Sequence, residues 1–165
     1  MKHKQQVSVA AESFAAGVFA HAGYSVFVQY GANQPGYDLV VSNDTKAIHV
    51  SVKGNSIGGW MLTSKNAAGT YASALQEWTA ANRTFVFCFV SFTNLEVGQM
   101  PRMYIADGNE VGEFLKTHGF GEIALSLVEH KAPTRGPNKG KTMQVNPDWL
   151  MTQKRIDEVF KSKAT

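Results

Sequence analysis

The chain has 165 residues, 44% of them apolar, and a formal net charge of +3. That is the length of one domain able to bury a core without disulfide or metal staples, and the composition excludes both a disordered chain and a membrane-protein class. The mild positive charge permits a nucleic-acid partner without demanding one. The longest strongly apolar run, Phe85 to Phe92, is too short to span a bilayer. Cys88 is the single cysteine, so no intrachain disulfide forms and the reducing cytoplasm is the expected compartment.

In chain order, "KHK" before an alanine-rich stretch has the look of a signal peptide, but Glu12, Ser13 and His21 interrupt it and favour a helix of a soluble protein. Ser8 is the expected N-cap of that helix, and Gly23 its end. "YSVFVQY" predicts a strand, and "GANQPG" breaks it. "YDLVV" and "KAIHVSVKG" predict two strands joined through the turn residues "SNDT". A long Gly/Ser/Asn-rich loop, "GNSIGGWMLTSKNAAG", leads to a helix over Thr70 to Asn82. "TFVFCFVSF" reads as a central strand covered on both faces. A strand near Arg102 to Ala106 and a helix near Glu110 to His118 follow, and Gly119 to His130 is ambiguous. "HKAPTRGPNKGKT" is a basic loop, and "PDWLMTQKRIDEVFKS" predicts a closing amphipathic helix with Pro147 in its first turn. The order α-β-β-β-α-β, without internal repeat or linker, predicts a single α/β domain over residues 1–165 with helices on both sides of a mixed sheet.

The hairpin carries the chemistry. Side chains alternate along a strand, so Ile48, Val50 and Val52 share one face and His49, Ser51 and Lys53 the other. A turn centred on Asp44 and Thr45 sets Asp38 opposite Ser51, which puts Leu39 and Val41 on the apolar face and Asp38 beside Lys53 on the polar one. By alternation alone this is a solvated sheet face with an ordinary ion pair. Three features point further. Asp38 lies where a strand leaves a tight loop, Lys53 lies at a strand end before Gly54, and Glu12 is a lone carboxylate in a helix almost devoid of charge. Carboxylates and a lysine at a strand end are the equipment for holding a divalent cation and an attacking water, as phosphodiester hydrolysis requires. Glu12 also has an ordinary explanation, since carboxylates are favoured in the first turns of a helix. His49 reads as a neighbouring or surface residue, and His21 as a dipole-stabilising one near a helix C-terminus.

Glu12 on a first helix, "PGYD" entering a strand and "SVK" on the next resemble the PD-(D/E)xK nuclease superfamily, which includes restriction endonucleases and archaeal Holliday-junction resolvases. The resemblance spans roughly the first ninety residues, and small bacterial endonuclease-like members with a "GYDL" strand are the most similar in character. It implies a restriction-endonuclease-like mixed β-sheet flanked by helices, a Mg²⁺- or Mn²⁺-dependent hydrolase and a DNA substrate. By the same resemblance Asp38 matches the metal-binding aspartate, Glu12 the first-helix glutamate and Lys53 the catalytic lysine, with the Val52 carbonyl as a further metal ligand. Ser51 departs from the pattern, because the family usually has Glu or Asp there and some members have Gln. A serine hydroxyl is a neutral and weaker ligand, so metal binding should be weak unless substrate phosphates or Glu77 on the next helix complete the site.

Candidate nucleic-acid contacts lie outside this core. Trp60 could stack on a base or sugar, or anchor its loop to the core. Lys65 in the same loop, and Lys131, Arg135, Lys139 and Lys141 in the basic loop, are candidate phosphate contacts or ordinary solvated charges. "GPNKGKT" has neither the spacing nor the preceding strand of a P-loop. Nucleases of the resembled group often act as dimers, so a homodimer is a further expectation. The rival readings are a catalytically silent nuclease fold that binds nucleic acid or a protein, and a purely structural interaction protein.

Overall fold

The computed structural model describes residues 4–29, 36–63, 69–119, 124–131, 134–135, 139–140 and 142–163. Helix α1 (Lys4–His21) buries Val7, Ala11, Ala15 and Phe19, a stripe that recurs every fourth residue as one helix face requires. The helix already runs from Lys4, so Ser8 is an exposed residue inside it instead of its cap. Glu12 is therefore about two turns in, beyond the terminal turn where the macrodipole acts. Gly23, at φ +91°, ends the helix where a side chain would be strained.

Strands β1 (Ser25–Val28), β2 (Leu39–Ser42) and β3 (Ala47–Asn55) form an antiparallel meander. Leu39 pairs with Val50 and Ser42 with Ala47, the register expected from a turn centred on Asp44 and Thr45. The next stretch is not all loop: β4 (Gly59–Met61) pairs with β7 (Ser126–Val128) in a small separate sheet. Helix α2 (Tyr71–Asn82), capped by the Thr70 hydroxyl, crosses to β5 (Val86–Ser91), which lies parallel to β3 and antiparallel to β6 (Arg102–Asp107). The main sheet has five strands in the order β1-β2-β3-β5-β6.

Helix α3 (Gly108–His118) starts with a capping box between Asp107 and Glu110. A short ribbon, β8 (His130–Lys131) with β9 (Met143–Gln144), precedes a 3-10 turn at Pro147–Trp149 and helix α4 (Gln153–Ser162). The closing segment is thus two elements, not the one helix its sequence predicts. The Met151 amide donates to the Met103 carbonyl at 2.9 Å and Leu150 bridges to Tyr104, which ties this stretch to β6 and delays α4 to its Thr152 cap.

Two cores flank the sheet. One joins α1 and α4 to Leu39, Val41, Ile48, Val50 and Val52; the other gathers residues of α2 and α3 with Trp60, Leu127 and Trp149. Strand β5 is buried throughout and serves both, Val86, Cys88 and Val90 on the first side and Phe87 and Phe89 on the second. This is the mixed sheet flanked by helices that the sequence predicts. Among the described residues no helix is long and apolar enough to cross a membrane.

Candidate functional site

The site sits at a fork in the sheet. Ladder pairing of β2 with β3 ends at Leu39–Val50, whereas β3 runs on to Asn55 beside β5. Beyond Val50 the β2-facing edge of β3 needs another partner, and Asp38 supplies it. Its amide donates to the Val50 carbonyl at 2.9 Å, and its Oδ2 accepts the Val52 amide at 2.6 Å. The N–H and C=O of one strand residue point to the same edge, so the Val52 carbonyl faces this fork as well. Ser51, only 4% exposed, brings its hydroxyl to 3.5 Å from the same Oδ2, the limit of a hydrogen bond.

Glu12 reaches the fork from α1. Its carboxyl is pushed above the ordinary carboxylate range first by burial, then by the charge of Asp38, with Lys53 opposing. Glu12 thus feels both residues. The close seat of α1 depends on Gly54, where a Cβ would stand 2.7 Å from the Ala11 Cβ and 2.9 Å from the Val7 carbonyl. Asp38, Glu12 and Lys53 are half-buried, desolvated enough to interact and open enough to meet a ligand.

These residues offer oxygen donors alone: two carboxylates and a backbone carbonyl. Among the described residues no group of three His, Cys, Asp or Glu side chains could hold a metal ion. Glu77 does not fill the gap, being exposed on α2, and the charges acting on Glu12 are those of Asp38 and Lys53. Gln29, which the sequence does not single out, follows β1 directly. Its amide donates to the Asp38 carbonyl at 2.9 Å, and its Oε1 is buried without a hydrogen-bond partner. Its signal is legible only once the pairing of β1 with β2 is known. His49 is exposed and stacks on Tyr37 with ring centroids 4.3 Å apart, beside the fork but outside its hydrogen bonds.

The outer candidates divide. Trp60 is 2% exposed, packs against Phe89 and Tyr104 and donates its indole N–H to the Val90 carbonyl at 3.3 Å. It anchors its loop to the core and presents no face to a nucleotide, which corrects its candidacy as a stacking residue. Lys131 on β8, and Arg135 and Lys139 beyond it, are exposed. Lys65 and Lys141 lie outside the described residues. Clefts of about 370 Å³ beside α1, including Phe14 and Met100, and of about 420 Å³ beside Arg102 and Glu129 do not include Asp38 or Lys53. The candidate site is the open fork.

No family model and no curated protein matches the sequence. Among solved structures, the chain is similar to one described as a bacterial homing endonuclease, with a TM-score of 0.46 and 15% identity over 99% of this chain and 94% of that one. Likeness at that level carries neither fold nor activity across, and the chemistry rests on the residues of this chain.

Proposed function

We propose that this chain is a metal-dependent nuclease of the PD-(D/E)xK kind that hydrolyses DNA phosphodiester bonds. The observation that supports the reading is the meeting, at one sheet fork, of Asp38 from the entry to β2, Lys53 from β3 and Glu12 from α1. Asp38, Glu12 and the Val52 carbonyl would hold Mg²⁺ or Mn²⁺, since hard cations take oxygen ligands. A cation there, when bound, polarises a phosphate and makes water a better nucleophile.

The residues do the rest. The Val52 amide fixes Oδ2 of Asp38, so the carboxylate is oriented before any ligand arrives and its second oxygen is free for the cation. Burial and Asp38 push the Glu12 carboxyl up, and a positive charge between the two carboxylates would favour its ionised form. Lys53 orients the attacking water and offsets negative charge that builds on the phosphorus oxygens. Phosphate contacts spread over Arg135, Lys139 and the other basic-loop residues supply affinity without sequence readout.

One observation favours the silent-fold alternative: Ser51 brings a hydroxyl where an acid would complete the site. Incubation with duplex, branched and single-stranded DNA in Mg²⁺ or Mn²⁺ separates the two readings. The nuclease cuts, Asp38→Ala and Lys53→Ala abolish cutting, and Lys53→Ala leaves DNA affinity largely intact because Lys53 acts in the transition state. A wild-type protein that binds DNA and cuts none of these substrates overturns the enzyme.

A further inference from the structure

A cation held by Asp38, Glu12 and one backbone carbonyl is short of protein ligands, because Mg²⁺ seeks six oxygens in octahedral array. On the strand that pairs with the Asp38 segment the structure holds a side-chain oxygen with no donor to accept from. The hydrogen bond from the Gln29 amide to the Asp38 carbonyl continues the register Val28–Leu39, so Gln29 stands opposite Asp38. Opposed residues of an antiparallel pair project from the same face. Gln29 is half-buried, yet its Oε1 is sealed from solvent and accepts no hydrogen bond. A buried amide oxygen deprived of both water and a donor is costly to the fold, and such atoms call for an explanation. A cation explains an orphaned acceptor; the other orphaned atom among the described residues, Nδ2 of Asn55, is a donor and has no such use.

We propose that Gln29 is a ligand of the divalent cation, its Oε1 taking the part that an acid at position 51 plays elsewhere. The amide oxygen is a hard donor suited to Mg²⁺, Mn²⁺ or Ca²⁺. With two carboxylates and a neutral amide, the protein ligands balance a doubly charged cation, which a third carboxylate would exceed. The inference rests on the cation site of the nuclease reading, though not on catalysis.

The test is Mn²⁺ binding to the full chain without DNA, followed by calorimetry into the millimolar range. Gln29→Met keeps the side-chain length and removes the donor. It should weaken Mn²⁺ binding by about tenfold or more, the scale set by losses around metal sites. Its metal-free melting temperature should equal or exceed that of the wild type, because an unpaired buried acceptor is gone. Gln29→Glu should bind Mn²⁺ more tightly than the wild type. Unchanged affinity in both variants, with binding lost in Asp38→Ala, overturns the role of Gln29 and leaves the cation site standing. A wild type that binds no Mn²⁺ in this range, or binds it equally after Asp38→Ala, overturns the cation site and the Gln29 proposal with it.

Discussion

At position 51 a hydroxyl that is 4% exposed lies against the Asp38 carboxylate, on the same face as Lys53. Ser51→Glu would set a third carboxylate beside Asp38 and Glu12 in partly desolvated surroundings. Without metal that variant should lose roughly 1–3 kcal/mol of stability or more, the cost of a buried charge without a partner. Added Mn²⁺ should restore stability and bind more tightly than to the wild type. Calorimetric titration and thermal melting with and without Mn²⁺ check both halves, and equal Mn²⁺ affinities would mean that position 51 is not at the cation. Cys88 illustrates the opposite case of a reactive group put out of use. Burial pushes its thiol up to about 12, so the native protein should resist thiol reagents at neutral pH and react only on unfolding. A native-state reaction within minutes would contradict the buried position on β5.

The fit between elements is tightest where α1 meets β3. Gly54→Ala would drive a methyl into the Ala11 side chain and the Val7 carbonyl, at 2.7 and 2.9 Å. Overpacking of this kind costs about 1–3 kcal/mol, and it should also carry Glu12 away from the fork. Denaturant melts and Mn²⁺ titration of this variant should therefore weaken together. A second cluster ties the strand ends to the following segment. Glu129 accepts from Nε and Nη2 of Arg102, at 2.5 and 2.9 Å, from Ser91 at 2.7 Å and from Tyr104 at 3.0 Å. Burial alone would raise its carboxyl, but these bonds together hold it below its usual value of 4.5. Its stabilisation is thus complete above that value and is lost as the pH falls through the lowered folded one. Glu129→Gln should be less stable than the wild type at neutral pH, and its melting temperature should fall less between pH 5 and pH 3. Parallel curves over that interval would show that Glu129 does not govern the acid limb.

Across the whole molecule, the two cores meet at β5, and Trp60 is among the largest side chains sealed within them. Trp60→Ala should cost about 3–5 kcal/mol in a denaturant melt while leaving the DNA affinity of the folded fraction unchanged, the reverse of what a stacking residue would show. The sequence by itself determined what depends on neighbours in the chain. Period-two alternation in "YDLVV" and "KAIHVSVKG", with the turn between them, is local information, and it set the hairpin register and the shared face of Asp38, Ser51 and Lys53. The unbroken apolar run of β5 likewise marked a strand with no solvent face. Tertiary structure alone decided what depends on pairings between distant segments. Trp60 turned inward because β4 joins β7, whose residue Leu127 lies more than sixty positions away. The closing helix started late because Met151 is held by β6. Gln29 came to stand beside Asp38 because β1 pairs with β2, and Glu12 reached the fork because Gly54 lets α1 lie close against β3. Alternation states which face a side chain takes, but only packing states what stands across from it.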